Sequence, residues 1–263
     1  MKTILLKEIR LNLKALLIWA FSVGGMGLVC IILYKSMQGD MKQMADAFSN
    51  MGAFSDAFGM STLSIATLKG YFATEVGAVH GLGGGMFAAI ISVGILSKEE
   101  EGHTGEFLFS LPIARKKVVL AKGICVLCML AVFTLICGAM YCCGIAALGE
   151  EIPAEEFCRF MGMQFLMNLE IAAVCFAISA ASGKSKMGLG IGLAMGCYFY
   201  DVIGRVVPDA KDYLFAGPYS YANASEIFTG AEADAKAIIL AAAVIIAGVL
   251  FAHQRYDSRD LAS

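Results

Sequence analysis

Apolar residues in this chain do not alternate, and they do not recur as a narrow helical stripe; they come in long blocks. An α-helix crossing a hydrocarbon core of about 30 Å needs roughly 20 predominantly apolar residues. Six stretches meet that requirement: Ala15–Tyr34, Gly77–Leu96, Val118–Leu148, Arg159–Ala181, Met187–Val207 and Ala237–Ala252. The first holds no charge, the second only His80, and the third a single charge, Lys122, near its start. Glu170 lies inside the fourth, and Asp201 and Arg205 near the end of the fifth. The pattern predicts an all-α, polytopic integral membrane protein with six transmembrane helices.

Composition agrees. Of 263 residues, 59% are hydrophobic and 16% charged, against about 25% charged in soluble domains. A soluble enzyme built on one core does not fit, and neither does disorder, which needs few apolar residues and many charges. A formal charge of -2 argues against a nucleic-acid-binding surface.

Lys and Arg concentrate in cytoplasmic loops. With the N-terminus inside, the cytoplasmic segments hold 12 of them and the external segments 5, leaving out Lys122, Arg159 and Arg205 at helix ends. The expected topology is therefore N-in and C-in. Residues 1–263 form one transmembrane domain, with a cytoplasmic interfacial segment (1–14), a cytoplasmic loop (97–117), an external segment (208–236) and a cytoplasmic tail (253–263). Acidic Gly149–Phe157 falls outside. The 20 uncharged residues of the first stretch exceed a signal-peptide core and no cleavage site follows, so it reads as a retained span. Met1–Lys14 alternates Ile4, Leu5, Ile9 and Leu13 with Lys2, Lys7, Arg10 and Lys14. That suits a helix on the inner membrane surface and equally the start of the first span.

Motifs for bond-breaking chemistry fail one by one. Gly183-Lys184-Ser185 ends like a phosphate-binding loop, but Ile178 stands where its first glycine belongs and a membrane helix precedes it. There is no HExxH, and His80, His103 and His253 lie far apart in the sequence. Glu155-Glu156-Phe157-Cys158-Arg159 is one residue short of the EExxxR of intramembrane prenyl-protein proteases. The Cys125-x-x-Cys128 pair sits in a span with no second pair or His to complete a metal site, so its cysteines read as small apolar packers. No catalytic residue, metal or cofactor is expected.

The largest cytoplasmic loop, Ser97–Lys117, reads SKEEEGHTGEFLFSLPIARKK. Thr104 suits a helix N-cap, and a short helix over 105–110 would stop before Pro112. This loop resembles that of the type-2 ABC transporter permeases, in which an acidic pair, a glycine, Thr-x-Glu, Leu-x-x-Leu-Pro-Ile-x-Arg, a valine-rich stretch and a lysine follow the second span. The matching residues are Glu99, Glu100, Gly102, Thr104, Glu106, Leu108, Leu111, Pro112, Ile113, Arg115, Val118, Val119 and Lys122. Ala57-Phe58-Gly59 with Lys69-Gly70-Tyr71-Phe72, Gly217-Pro218-Tyr219-Ser220-Tyr221 and the tail from Arg255 to Leu261 are similar to further family stretches. Gly217 replaces a serine, and Gly81-Leu82-Gly83-Gly84-Gly85 stands in place of larger residues.

The resemblance implies a permease half of an ATP-driven transporter, an exporter in the plasma membrane of a bacterium. A separate ATPase subunit supplies hydrolysis, and a second permease chain, identical or different, completes the unit. Glu99, Glu100, Thr104, Glu106, Leu108, Leu111, Pro112 and Arg115 would form the coupling surface, with carboxylates pairing to basic residues on the ATPase and apolar anchors buried in it. Glu170, near the bilayer midplane, and Asn168 mark a translocation path, or Glu170 is a protonated carboxyl hydrogen-bonded to Asn168, Gln164 or a neighbouring helix. Rival readings are a membrane-embedded enzyme using Glu170 or Asp201, and a stand-alone channel or carrier, although no internal repeat is visible. Asp201 and Arg205, four residues apart, should pair. Gly188, Gly192 and Gly196 should permit close helix contact, within the subunit or across a dimer.

Overall fold

A computed structural model describes residues 1–49, 51–52, 55, 60, 63–104 and 114–258. Six of its helices are long and apolar enough to cross a membrane, and among the described residues there is no strand. The spans are α1 (Lys2–Ser49), α2 (Leu68–Val93), α4 (Arg115–Leu148), α5 (Ala154–Ala181), α6 (Met187–Val206) and α8 (Ala235–Ser258). Two short helices, α3 (Lys98–Glu101) and α7 (Ala224–Phe228), lie in the connections.

Hydropathy located the spans but not their ends. The 48 residues of α1 make a helix about 72 Å long at 1.5 Å per residue, more than twice the hydrocarbon thickness. The first fourteen residues thus continue the first span without a break. α2 likewise starts at Leu68, nine residues before its apolar block, and passes through a π-helical turn over Phe72–Val76.

That turn sits at the centre of an aromatic core. Phe72 is fully buried, with ring centroids 5.4 to 6.0 Å from those of Phe228, Phe160, Tyr141 and Phe157. Four elements, α2, α4, α5 and α7, meet there. Nearby, the buried His80 ring places Nδ1 3.0 Å from the Tyr141 hydroxyl.

Small residues set how closely the helices approach. α4 lies along α1 where Gly144 would press any added Cβ to 2.8 Å from Leu28. On α2, the expected glycine run forms a face without side chains: a Cβ on Gly85 would strike the Tyr219 hydroxyl, and one on Gly84 would lie 2.9 Å from the Asn168 amide. By contrast, Gly188, Gly192 and Gly196 of α6 have nothing within 4 Å of an added Cβ, so none of the three makes a close helix contact inside the described chain.

This difference yields an expectation. Gly85→Val overpacks the contact with Tyr219 and should cost about 1–3 kcal/mol, read as a lowered unfolding temperature in detergent. Gly188→Val should leave that temperature unchanged; equal loss in both variants contradicts the packing described.

Candidate functional site

Two regions gather polar side chains inside the bundle. At one end, the connection from α2 to α4 starts from a root fixed on three sides. Lys122, wholly buried in α4, forms a close ion pair with Glu99, donates to the Ile95 carbonyl at 2.5 Å and lies 3.9 Å from a Glu8 carboxylate oxygen. Glu8, 1% exposed on α1, pairs in turn with Lys98. Two ammonium and two carboxylate groups thereby join α1, α3 and α4.

The third side is the end of α5 and the turn that follows it. Ser179 Oγ accepts from the backbone N–H of Leu96 at 2.9 Å and of Ser97 at 3.3 Å, and Glu101 accepts from the Ser185 N–H at 3.0 Å. Gly94 leaves no room there for a side chain, since its Cβ would sit 2.7 Å from Ser185 Oγ.

Past this root the chain turns through His103, whose φ of 52° is left-handed. The Thr104 N–H donates to the Glu99 carbonyl at 2.8 Å. Glu106, Leu108, Leu111 and Pro112, with the short helix expected over 105–110, lie outside the described residues. So do Ala57-Phe58-Gly59 and the tail beyond Ser258. Where the chain resumes, Arg115 donates to the Asp257 carbonyl at 3.4 Å and Lys116 lies 3.6 Å from the Asp257 carboxylate. The connection and both described chain ends thus share one end of the bundle.

Within this chain the Glu99 carboxylate is turned inward onto Lys122, and Glu100 is buried too, at 6% exposure. The reason is electrostatic: an ammonium group inside an apolar helix is tolerated only with a counter-charge in contact. Glu8 was overlooked. The visible clue was one carboxylate among four cations in the first fourteen residues, with one unpaired cation in the third span.

The second region lies toward the other end. Residues 217–223, in the segment expected to be an external loop, enter the bundle as a buried strap between α2, α5 and α6. The Tyr221 hydroxyl donates to Glu170 at 2.7 Å, and Gln164 donates to the Ala222 carbonyl at 2.9 Å. Glu170 is 16 residues into α5, about 24 Å from its start, which measures how deep the strap reaches. Arg205 clamps the strap from α6. It pairs with Asp201 at 2.9 and 3.0 Å, as the spacing implied, and with Glu226 of α7 at 2.5 Å.

Tyr219 crosses the glycine face of α2. Asn168 is fully buried, and neither its amide atoms nor the Tyr219 hydroxyl has a hydrogen-bond partner among the described residues. The strap borders two clefts, one of about 410 Å³ beside Arg159, Ser220, Tyr221 and Glu226 and one of about 60 Å³ beside Gly81, Gln164, Tyr219 and Ala222. Glu170 meets this strap through Tyr221, the residue that spacing alone did not connect to it, while Asn168 lies against Gly84 of α2.

The charge cluster makes a quantitative expectation. Lys122→Met leaves Glu99 without its counter-charge and should cost about 3–5 kcal/mol, measured by denaturant unfolding in detergent. Adding Glu99→Leu removes the orphaned carboxylate and should recover most of the loss. A double variant no more stable than the single one would show that the ion pair does not set the stability of this root.

Comparison with known proteins extends the geometry. A family model described as "ABC-2 family transporter protein" matches residues 2–260. A curated relative from Pseudomonas aeruginosa, "Probable ABC transporter permease protein NosY", is 32% identical over 123 residues. That alignment covers 45% of this chain and 44% of the relative, so the chain spans less than half the length of the relative it matches.

Proposed function

The chain belongs to the ABC-2 transporter family as a multi-pass membrane permease subunit, and we propose that it is driven by a separate ATPase subunit docking on residues 97–117. The observation that carries this reading is the root of that connection. A docking element transmits force only if its base does not flex, and here ion pairs and hydrogen bonds tie the base to α1, to α4 and to the end of α5 and the turn that follows it. Glu99 and Glu100 serve as part of the base. Thr104, Glu106, Leu108, Leu111, Pro112 and Arg115 serve the contact itself, on the strength of the motif they match.

In this reading the docking end is cytoplasmic, as the excess of Lys and Arg there suggests, and ATP hydrolysis belongs to the partner. Similarity of the motif to permeases of bacterial export systems supports export as the direction. Glu170 and Asn168 line the path, with the strap of residues 217–223 as its outer boundary. A second permease chain completes the unit. The open glycine row of α6 supports this face as the place where two chains approach, since a row spaced by four residues permits close helix contact.

Two measurements test the reading. Glu106→Lys replaces attraction with repulsion at the docking surface. At an interface that costs about 3 kcal/mol, roughly a hundredfold in binding, so the variant should insert normally yet lose copurification with its ATPase and lose transport. Normal copurification of a well-expressed variant would sink the role of Glu106. For topology, single cysteines at Gly105→Cys and Ala154→Cys in a cysteine-free background should react with an impermeant reagent from opposite sides of the membrane, and labelling of both in intact cells refutes the orientation.

A further inference from the structure

Between α4, α5 and α8, toward the end that carries the docking connection, helix packing leaves a groove of about 280 Å³. Its walls are apolar except for His253 at the end nearest the α8 terminus. The gap has a local cause. α8 approaches α5 closely at Gly248, where an added Cβ would lie 2.8 Å from the Ala173 carbonyl, while Gly123 and Ala172 contribute almost no side-chain volume to the opposite walls.

The groove opens outward: Leu120, Leu127 and Val249 on its rim are 48%, 45% and 46% exposed, on helices apolar enough to span a bilayer. It runs along α8 from Ile245 to His253, about 12 Å at 1.5 Å per residue. Its volume falls below the roughly 300–1,000 Å³ of a site that encloses a whole small molecule. A narrow apolar slot open to hydrocarbon suits a strip of alkyl chain.

Charge lies in the helix-end turns beyond the His253 end of the groove. Among the described residues of the first turn of α4 and the last turn of α8, Arg115, Lys116, Lys117 and Arg255 face a single carboxylate, Asp257. Asp257 holds the two helix ends together through Arg115 and Lys116, and Lys117 and Arg255 are exposed beside that junction. In a bilayer the groove and the lipid are equally apolar, so an alkyl chain gains little by entering it. Selectivity must come from the headgroup, and clustered Lys and Arg at the membrane surface attract anionic lipid.

We propose that this groove is a binding site for an anionic phospholipid, one acyl chain lying between α4, α5 and α8 and the phosphate resting on Lys117 and Arg255. Lys117 ends the connection assigned to ATPase docking, so the site is tested on the permease alone, with no ATPase present.

Purified full-length chain is exchanged into micelles containing equimolar phosphatidylglycerol and phosphatidylcholine of identical acyl chains, and retained lipid is counted by native mass spectrometry. Phosphatidylglycerol should be retained several-fold over phosphatidylcholine. Lys117→Glu with Arg255→Glu should bring that ratio down roughly tenfold. Gly123→Leu fills the groove and should abolish retention, whereas Gly123→Ala, whose Cβ would meet Phe176 at an ordinary 3.7 Å, should keep it and so controls for folding. Glycerophosphoglycerol, the headgroup without chains, should not compete. An unchanged ratio in the charge variant, retention by Gly123→Leu, competition by the chainless headgroup, or a chain-to-chain disulfide from Val249→Cys, which would assign the groove to a second copy, each overturns the proposal.

Discussion

Lys122 places an ammonium group where no solvent reaches it, inside a helix that is otherwise apolar over more than thirty residues. Removing such an ion from water costs several kcal/mol even after relaxation, so the surrounding chain must return that energy through contact. It does so with Glu99, the Ile95 carbonyl and Glu8. These partners come from the end of α2, the connection after it and the first turns of α1. One buried charge therefore fixes the relative position of three elements that sequence keeps up to 114 residues apart. It also draws Glu99 of the connection inward.

The opposite end answers a different constraint. A strap of loop inside a helical bundle brings backbone amides and carbonyls into a space without water, where each unsatisfied group is costly. Gln164 and Arg205 reach its carbonyls, Glu170 takes the Tyr221 hydroxyl, and Asn223 caps α7 by accepting from the Glu226 N–H. Room for the strap comes from the glycines of α2. Residues that looked like a departure from larger side chains are the space that Tyr219 occupies.

Legibility followed the range of the interaction. Each of the six spans was visible because twenty consecutive apolar residues are a local property. Asp201 and Arg205 were visible as a pair because four residues on a helix is one turn. The prolongation of α1 to Ser49 and the early start of α2 were not, because a helix leaving the membrane can carry charges such as Lys35 or Lys69 without hydropathy marking where it ends. The partner of Glu170 was hidden for a stronger reason. Tyr221 lies 51 residues away in a polar segment that composition assigns to solvent, and only the side-chain-free face of α2 hinted that something had to fill it. Lys122 is a position of the loop motif, but its pairing with Glu8, across more than a hundred residues, belongs to tertiary structure alone.

The two regions are joined by the elements that build them. α5 presents Ser179 to the root of the connection between α2 and α4 and, nine residues earlier, Glu170 to the strap, a separation of about 13.5 Å along one helix. α2 ends in the residues that root the connection, and its glycine face carries Tyr219. Helices packed at interior density transmit displacement because they compress little. Both α2 and α5 touch the strap along their length, α2 at Gly85 and α5 at Glu170. Ser179 and Glu170 are thus two fixings on one rod: the first takes the backbone N–H groups of Leu96 and Ser97 and the second takes the Tyr221 hydroxyl, so the root and the strap are held by the same helix.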